Sequence, residues 1–154
     1  MKERYKLIPE VFLFLIKDDK ILLSRRFQTG YEDGNYGLPA GHGEDRETMR
    51  DGVVREAKEE IGLDIAVTDL DFALVQHRWC PDVGHSHARV GFYFVPKKWK
   101  GEPFNNEPDK CDDLQWFPLG ALPANTIGHV RAAIDAFRSG DKYAEFNWDA
   151  MIKA

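Results

Sequence analysis

Residues 41–63, GHGEDRETMRDGVVREAKEEIGL, decide how the rest of the chain is read. Glu44, Asp45, Glu47, Asp51, Glu56, Glu59 and Glu60 crowd into this stretch. Glu56, Glu59 and Glu60 stand at spacings i, i+3 and i+4. A helix that turns about 100° per residue places those three within an arc of roughly 100°. Like charges so close repel, so this face either meets open water or binds something strongly positive. Val53, Val54, Ala57 and Ile61 gather on one side, the pattern of an amphipathic helix laid on a core. Glu60 borders that apolar stripe, with Glu56 beside it, Glu59 beyond and Arg55 flanking. Carboxylates half-buried together cost free energy unless a cation or protons compensate, and hard oxygen ligands of this type suit Mg²⁺ or Mn²⁺. Gly52 lies one turn before Glu56, where glycine costs ~1 kcal/mol relative to alanine; room for a loop or ligand to approach would offset that cost. The helix is expected to begin between Asp45 and Glu47 and to end at Gly62, a good C-cap residue. Spacing alone leaves both a solvated acidic helix and a metal platform open.

The wording of the stretch separates the two. Gly41, five residues, Glu47, seven residues, then Arg55-Glu56-Ala57-Lys58-Glu59-Glu60-Ile61-Gly62-Leu63 resembles the signature of the Nudix hydrolase family at each of its fixed positions. The aliphatic slot after Arg-Glu is filled by Ala57. Two neighbouring positions depart from the usual wording: Ala40-Gly41 stands where family members often have Gly-Gly, and Arg46-Glu47 where they often have Gly-Glu. The resemblance implies an α/β fold, an α/β/α sandwich with a mixed sheet between helices, formed by one domain over residues 1–154. It implies Mg²⁺ as cofactor, with Mn²⁺ able to substitute, held by Glu56, Glu59, Glu60, Glu107 and the backbone carbonyl of Ala40. Arg55 and Glu47 are expected to form an ion pair that orients the glutamates. Such enzymes cleave a nucleoside diphosphate linked to another moiety. The chemistry is water attack on phosphorus, with Glu56 first and Glu107 second as candidates to accept the water proton.

Composition sets the outer limits. The chain has 154 residues, 43% hydrophobic and 31% charged, as expected of a soluble globular domain with a proper core. A net charge of −5 argues against bulk binding to nucleic acid backbones. The longest early apolar run, Val11 to Ile16, is too short to span a membrane, and MKERYKLIPE holds no signal-peptide core. Cys80 and Cys111 form no Cys-x-x-Cys pair, so reduced thiols in a cytoplasm are the simplest account.

Along the chain, VFLFLI and ILLSRR read as a hairpin over Glu10 to Arg26, joined by Lys17-Asp18-Asp19-Lys20. By the family resemblance the end of the second strand faces substrate, so Arg25 or Arg26 could hold a phosphate, against the alternative of two solvated arginines. Residues 27–40 form a loop whose Tyr36, like Tyr31, could stack on a base or simply pack. Asn35 to Ala40 resembles the family's short strand before the signature, with Pro39 stiffening the chain before Gly41 turns it. Ile65–Thr68 and Phe72–Trp79 read as strands, as does Arg89–Trp99. His77, Cys80, His85 and His87 are zinc-type ligands, but their spacing matches no structural-zinc pattern. His85 and His87 are instead assigned to a loop by the substrate opening, and His77 to a strand, as a substrate contact or simply hydrogen-bonded. Glu107 precedes the pair Trp116-Phe117 in the way the family's loop glutamate does; Glu102, Asp112 and Asp113 are its rivals. Leu114 to Leu119 is the last expected strand. A helix capped at Asn125 carries Ile127, Val130, Ala133, Ile134 and Phe137 inward, and Gly140 ends it. Tyr143, Phe146 and Trp148 suggest that the tail docks on the body or on a second copy in a homodimer.

The expected substrate is a small nucleotide-type diphosphate, foremost a nucleoside triphosphate or modified nucleotide. ADP-ribose, a nucleotide sugar, a dinucleotide or an RNA 5′ end is the alternative, the last disfavoured by the acidic charge. A nucleotide-sensing module without catalysis is the competing class, against which the intact Glu47, Arg55, Glu56, Glu59 and Glu60 argue. Isomerase chemistry would need a catalytic cysteine, which neither Cys80 nor Cys111 is obviously placed to supply.

Overall fold

The computed structural model describes residues 1–81 and 88–149. Strand β1 (Ile8–Leu13) lies inside its larger sheet and joins both halves of the core. Residues alternate across a strand, and here both faces are apolar. Val11 and Leu13, with Leu15 beyond, enter one buried cluster together with Val53, Ala57 and Ile61. Phe12 and Phe14 enter the other, with Tyr93, Val130, Ala133 and Ile134. A sheet buried on both sides by helices reads as an unbroken apolar run, which is why residues 11–16 look as they do.

Helix α1 (Met49–Ile61) covers the first face and α2 (Gly128–Arg138) the second. Between them lies a five-stranded mixed sheet. Its order is β5 (Ala40–His42), β1, β7 (Ala88–Pro96), β6 (Leu70–Trp79) and β9 (Tyr143–Phe146). β1 runs parallel to β7, and β6 parallel to β9; the remaining pairs are antiparallel. The α/β/α sandwich with a mixed central sheet is therefore as expected. A second sheet is added to it: β2 (Ile16–Lys17), β3 (Lys20–Arg26) and β4 (Tyr36–Gly37), with β8 (Cys111–Pro118) on the other side of β3.

Several local readings change. The hairpin is real only around Asp18 and Asp19, both with left-handed φ (52° and 58°), where β2 pairs β3. The residues before it belong to β1 and pair with β5 and β7, because apolar side chains on both faces require cover on both sides. α1 starts later than expected. Arg46 has φ 64°, which no right-handed helix admits, and Thr48 is the N-cap: its hydroxyl accepts from the Asp51 amide at 3.1 Å while the Asp51 carboxylate accepts from the Thr48 amide. Gly62 ends the helix with φ 70° as expected. Residues 65–68 are not a strand; Val67–Asp69 is a 3₁₀ turn, and the nearest pairing is a single bridge from Asp64 to Lys100. Asn125 does not cap α2. Its amide side chain donates to the Gly34 carbonyl at 2.8 Å, and its own carbonyl accepts from Tyr36 N, which keeps this backbone out of the helix until Gly128. The tail docks on the body: residues 143–146 pair with β6, and Trp148 Nε1 donates to the His77 carbonyl at 2.9 Å. The tail therefore gives no support to a homodimer.

Candidate active site

The signature helix brings its glutamates to a cleft of about 590 Å³ between α1, β5, the end of β3 and the 107–111 segment. Glu56, Glu59, Glu60, Arg55 and Glu107 all line it, as does Ala40. Val53, Ala57 and Ile61 hold the helix on β1, so the register of α1 fixes which carboxylates reach the opening.

Arg55 is the hub. Its Nε and Nη2 donate to the two oxygens of Glu47 at 3.1 and 2.8 Å, its Nη1 to Glu56 at 2.7 Å and to Glu59 at 3.4 Å, and its Nη2 to the His42 carbonyl at 3.2 Å. The fork holds Glu47 below the usual carboxylate range and keeps Arg55 firmly charged. Gly52 is where Glu47 leans in: a Cβ there would sit 3.0 Å from the Glu47 Oε1. The loop approach read from that glycine is the approach of this carboxylate.

Glu60 accepts the Ala40 amide at 3.1 Å. Burial first, and the Glu56 carboxylate second, push Glu60 up to about 8. Glu56 is also raised, mainly by burial, against the pull of Arg55. A positive charge among these carboxylates would reverse both shifts. Gly41 is not the expected turn; it lies inside β5, antiparallel to Val11. Its role is space, because a Cβ at Gly41 would fall 1.9 Å from Glu56 Oε1. Glu107 enters from the facing segment and accepts from Lys110 Nζ at 3.1 Å. Gly62 and the Glu60 carbonyl anchor that segment: Phe104 packs against Gly62, and Asn106 N donates to the Glu60 carbonyl at 3.0 Å.

The donor set is all hard oxygen and fits a small divalent cation. Among the described residues, no three carboxylate, imidazole or thiol groups already converge on a common point. Each glutamate is instead held by an internal partner: Arg55, Lys110 or the Ala40 amide.

Of the expected substrate contacts, the cleft receives only Arg26. Its Nε donates to the Tyr31 carbonyl at 2.6 Å and its Nη2 to Thr29 Oγ1 at 3.0 Å. Arg25 points to the other side of β3, pairs with Asp112 at 2.7 Å and covers the Tyr36 ring. Tyr36 is buried against Phe117 with its hydroxyl on Asp113. His77 packs at a tilt against Trp148 with ring centroids 4.3 Å apart and lines neither this cleft nor the cavity beside it. Strand alternation explains Arg25 and His77, since each occupies the face opposite a neighbour that does point inward. His85 and His87 lie outside the described residues.

Sequence reasoning missed a second cavity, of about 240 Å³, that shares Arg26, Gly37, Leu38, Ala40 and His42 with the cleft. Its polar end is a buried cluster. Arg78 Nη2 donates to Glu10 at 2.6 Å, Arg89 Nη1 to the other Glu10 oxygen at 2.9 Å, and Arg89 Nη1 lies 3.0 Å from His42 Nε2. His129 of α2 faces the same cavity; burial, then Arg78, Arg26 and Arg89, hold it neutral. The only signal in the sequence was charge inside otherwise strand-like runs, at Glu10, Arg78 and Arg89.

Residues 6–136 match the NUDIX domain family. A protein of Pseudomonas putida (strain W619) named NAD-capped RNA hydrolase NudC is 31% identical over 142 residues, covering 88% of this chain and 47% of that protein. The protein of the same name from Pseudomonas aeruginosa (strain LESB58) is 33% identical over 118 residues, or 77% and 38% of the two chains. The chain thus spans about half the length, or less, of these curated relatives. Among solved structures, the MutT NUDIX hydrolase from Burkholderia pseudomallei superposes with a TM-score of 0.75 at 27% identity, over 85% of this chain and 98% of that one. The MutT protein from Methanosarcina mazei Go1, at 18% identity, shares the fold with a TM-score of 0.70 over 90% and 97% of the two chains. Among the described residues, no helix is long and apolar enough to cross a membrane.

Proposed function

The chain belongs to the NUDIX domain family, and we propose that it is a pyrophosphohydrolase that cleaves a nucleoside diphosphate linked to another moiety by attack of water on phosphorus. The observation that carries this is the meeting of Glu56, Glu59, Glu60 and Glu107 with Arg26 in one cleft, from three separate parts of the chain. Glu56, Glu59, Glu60, Glu107 and Ala40 would hold Mg²⁺, or Mn²⁺ in its place. Such a cation supplies charge neutralisation for phosphate oxygens and a lowered pKa for water.

The chain's own residues do the rest. Arg26, its guanidinium set by Tyr31 and Thr29, binds a phosphate oxygen on the side of the cleft facing the glutamates. Arg55 and Glu47 act as positioning residues that keep Glu56 and Glu59 turned to the opening. Glu56 accepts the proton of the attacking water from its place in the cleft, where Arg55 Nη1 holds its carboxylate at 2.7 Å. Glu107 is the second candidate. Nucleoside triphosphates and modified nucleotides are the first substrate class. The relatives named NAD-capped RNA hydrolase favour a second, a dinucleotide-type pyrophosphate, ahead of ADP-ribose, nucleotide sugars and free RNA ends. We place the protein in the cytoplasm, where the thiols of Cys80 and Cys111, neither of them in a disulfide, would stay reduced.

The test is a hydrolysis screen with Mg²⁺ over nucleoside triphosphates, nucleotide sugars and dinucleotides, with product identification. Glu56→Gln should lower kcat by about 10²–10⁴-fold with an unchanged circular dichroism spectrum. Full activity of that variant on a substrate that wild type cleaves would remove Glu56 from its role, and a wild type that cleaves nothing on the panel with Mg²⁺ or Mn²⁺ would sink the enzyme reading.

A further inference from the structure

The second cavity has a composition that the diphosphate chemistry does not use. Arg78 and Arg89 are 5% and 8% exposed and share a single carboxylate, that of Glu10, itself 8% exposed. Among the described residues the cluster thus carries one positive charge more than its negative charge. His129 adds none, because the surrounding arginines and burial keep it neutral. Buried surplus charge is costly unless a partner of opposite sign completes it. The Nε atoms of both arginines and Nδ1 of His129 have no hydrogen-bond partner there, so the donor capacity of the cluster exceeds what Glu10 accepts. Around it the walls are apolar: Phe12, Leu38, Ile127 and Val130. The cavity opens beside the cleft, with Arg26 on the boundary between them.

We propose that this cavity is an oxyanion subsite: it takes a carboxylate or phosphate carried on a small apolar or ring-shaped frame, as the far end of the group linked to the diphosphate. Two guanidinium groups converging on one point match the oxygens of such an anion. Glu10 holds that position as an internal stand-in, bridging both arginines. The flat apolar walls admit the frame, and 240 Å³ limits it to a small one. The subsite rests on the proposed function for its biological meaning, because only a substrate seated in the cleft would extend into it. Its existence can be measured without hydrolysis.

The experiment is titration of the metal-free protein in EDTA with benzoate and, separately, with inorganic phosphate, followed by calorimetry and by NMR shifts of the Gly37 amide and the His129 ring. Wild type should bind with one site and shift both resonances; the tighter of the two probes identifies the oxyanion. Arg89→Met leaves one arginine for one carboxylate and should weaken binding by about tenfold or more. Glu10→Gln removes the competing carboxylate and should strengthen it, the opposite sign from a merely structural role. Lys110→Gln, which lines only the cleft, should leave it unchanged. Should Glu10→Gln fail to fold, Arg89→Met decides. A wild type that binds neither probe, or a folded Arg89→Met that binds as tightly as wild type, overturns the subsite. Loss of hydrolysis in wild type with Mg²⁺ would instead refute the enzymatic reading and leave the binding result standing.

Discussion

The two adjoining cavities are opposite in charge and opposite in construction. The acidic cleft draws Arg55, Glu56, Glu59 and Glu60 from one helix, and Glu107 joins them from far away in the chain. The cationic cavity is assembled from Glu10 on β1, Arg78 on β6, Arg89 on β7 and His129 on α2, with contacts spanning 68 and 79 residues. In the cleft the like charges repel, and each is held by a borrowed cation or amide. In the cavity the like charges share one anion. Both arrangements store uncompensated charge of a definite sign, and together they fit the proposed substrate, with phosphates at one end and an acid at the other.

The sharpest way to break this contrast is at Gly41. An alanine Cβ would stand 1.9 Å from Glu56 Oε1 and 2.1 Å from Glu56 Cδ, so Glu56 must move. Its side chain is flexible and partly open to solvent, so the fold should tolerate the change. The carboxylate, however, would leave the position that Arg55 sets. A displacement of an ångström or more at the reacting groups costs about 10²-fold. Gly41→Ala should therefore lose about that much in kcat with little change in melting temperature, while benzoate affinity of the second cavity stays as in wild type. Equal loss in both cavities would show that they are one mechanical unit.

This contrast also explains what could be read in the sequence. The acidic helix was legible because its glutamates stand at i, i+3 and i+4 beside an apolar stripe, all inside one local element, and the resemblance to the Nudix signature favoured a metal platform over a solvated face. Gly52 was legible for the same reason, whereas the Arg55–Glu47 pair, which reaches outside the helix, came from the family resemblance. The cationic cavity was not, since Glu10, Arg78 and Arg89 meet only through the parallel pairing of β1 with β7 and the antiparallel pairing of β6 with β7. Nothing local encodes those pairings. Arg25 and His77 failed on facing: each lies one residue from an inward-pointing arginine, and a strand reverses its face at every step. The start of α1 failed because Thr48 and Asp51 form the capping box, whereas the acidic run from Glu44 merely resembled a first turn.

A pH experiment sharpens the electrostatic side of the comparison. The Glu60 carboxyl, ordinarily at 4.5, is held at about 8 by burial and by Glu56. The folded protein keeps a proton there that the unfolded chain releases, so the contribution of Glu60 to stability is intact below about 4.5 and is lost as pH rises toward about 8. In EDTA, wild type should melt at progressively lower temperature across that window. Glu60→Gln, which cannot ionise, should escape the loss and be more stable than wild type at alkaline pH by more than ~1.4 kcal/mol, the worth of a single tenfold change in proton affinity. Mg²⁺ should restore wild type and do nothing for the variant. A pH-independent difference between the two would mean that Glu60 is not the strained group of the cleft.

The smallest effect tests whether the two cavities are held independently. Thr48 caps α1 through a 3.1 Å bond from the Asp51 amide, and its hydroxyl also meets the Asp51 carboxylate at 2.6 Å. Thr48→Ala should cost about 1 kcal/mol in unfolding free energy, the usual worth of a cap. The cap lies two turns before Glu56, and Val53, Ala57 and Ile61 keep the middle of the helix on β1. Fraying should therefore stop short of the glutamates, and its first victim should be Glu47, which sits just outside the helix and depends on Arg55 for its place. The expected signature is a modest fall in kcat without a change in KM, together with benzoate binding equal to wild type, because neither Thr48 nor Asp51 is among the described residues that line the cationic cavity. A fall in benzoate affinity would mean that α1 sets the tension of β1 and, through Glu10, of both cavities at once.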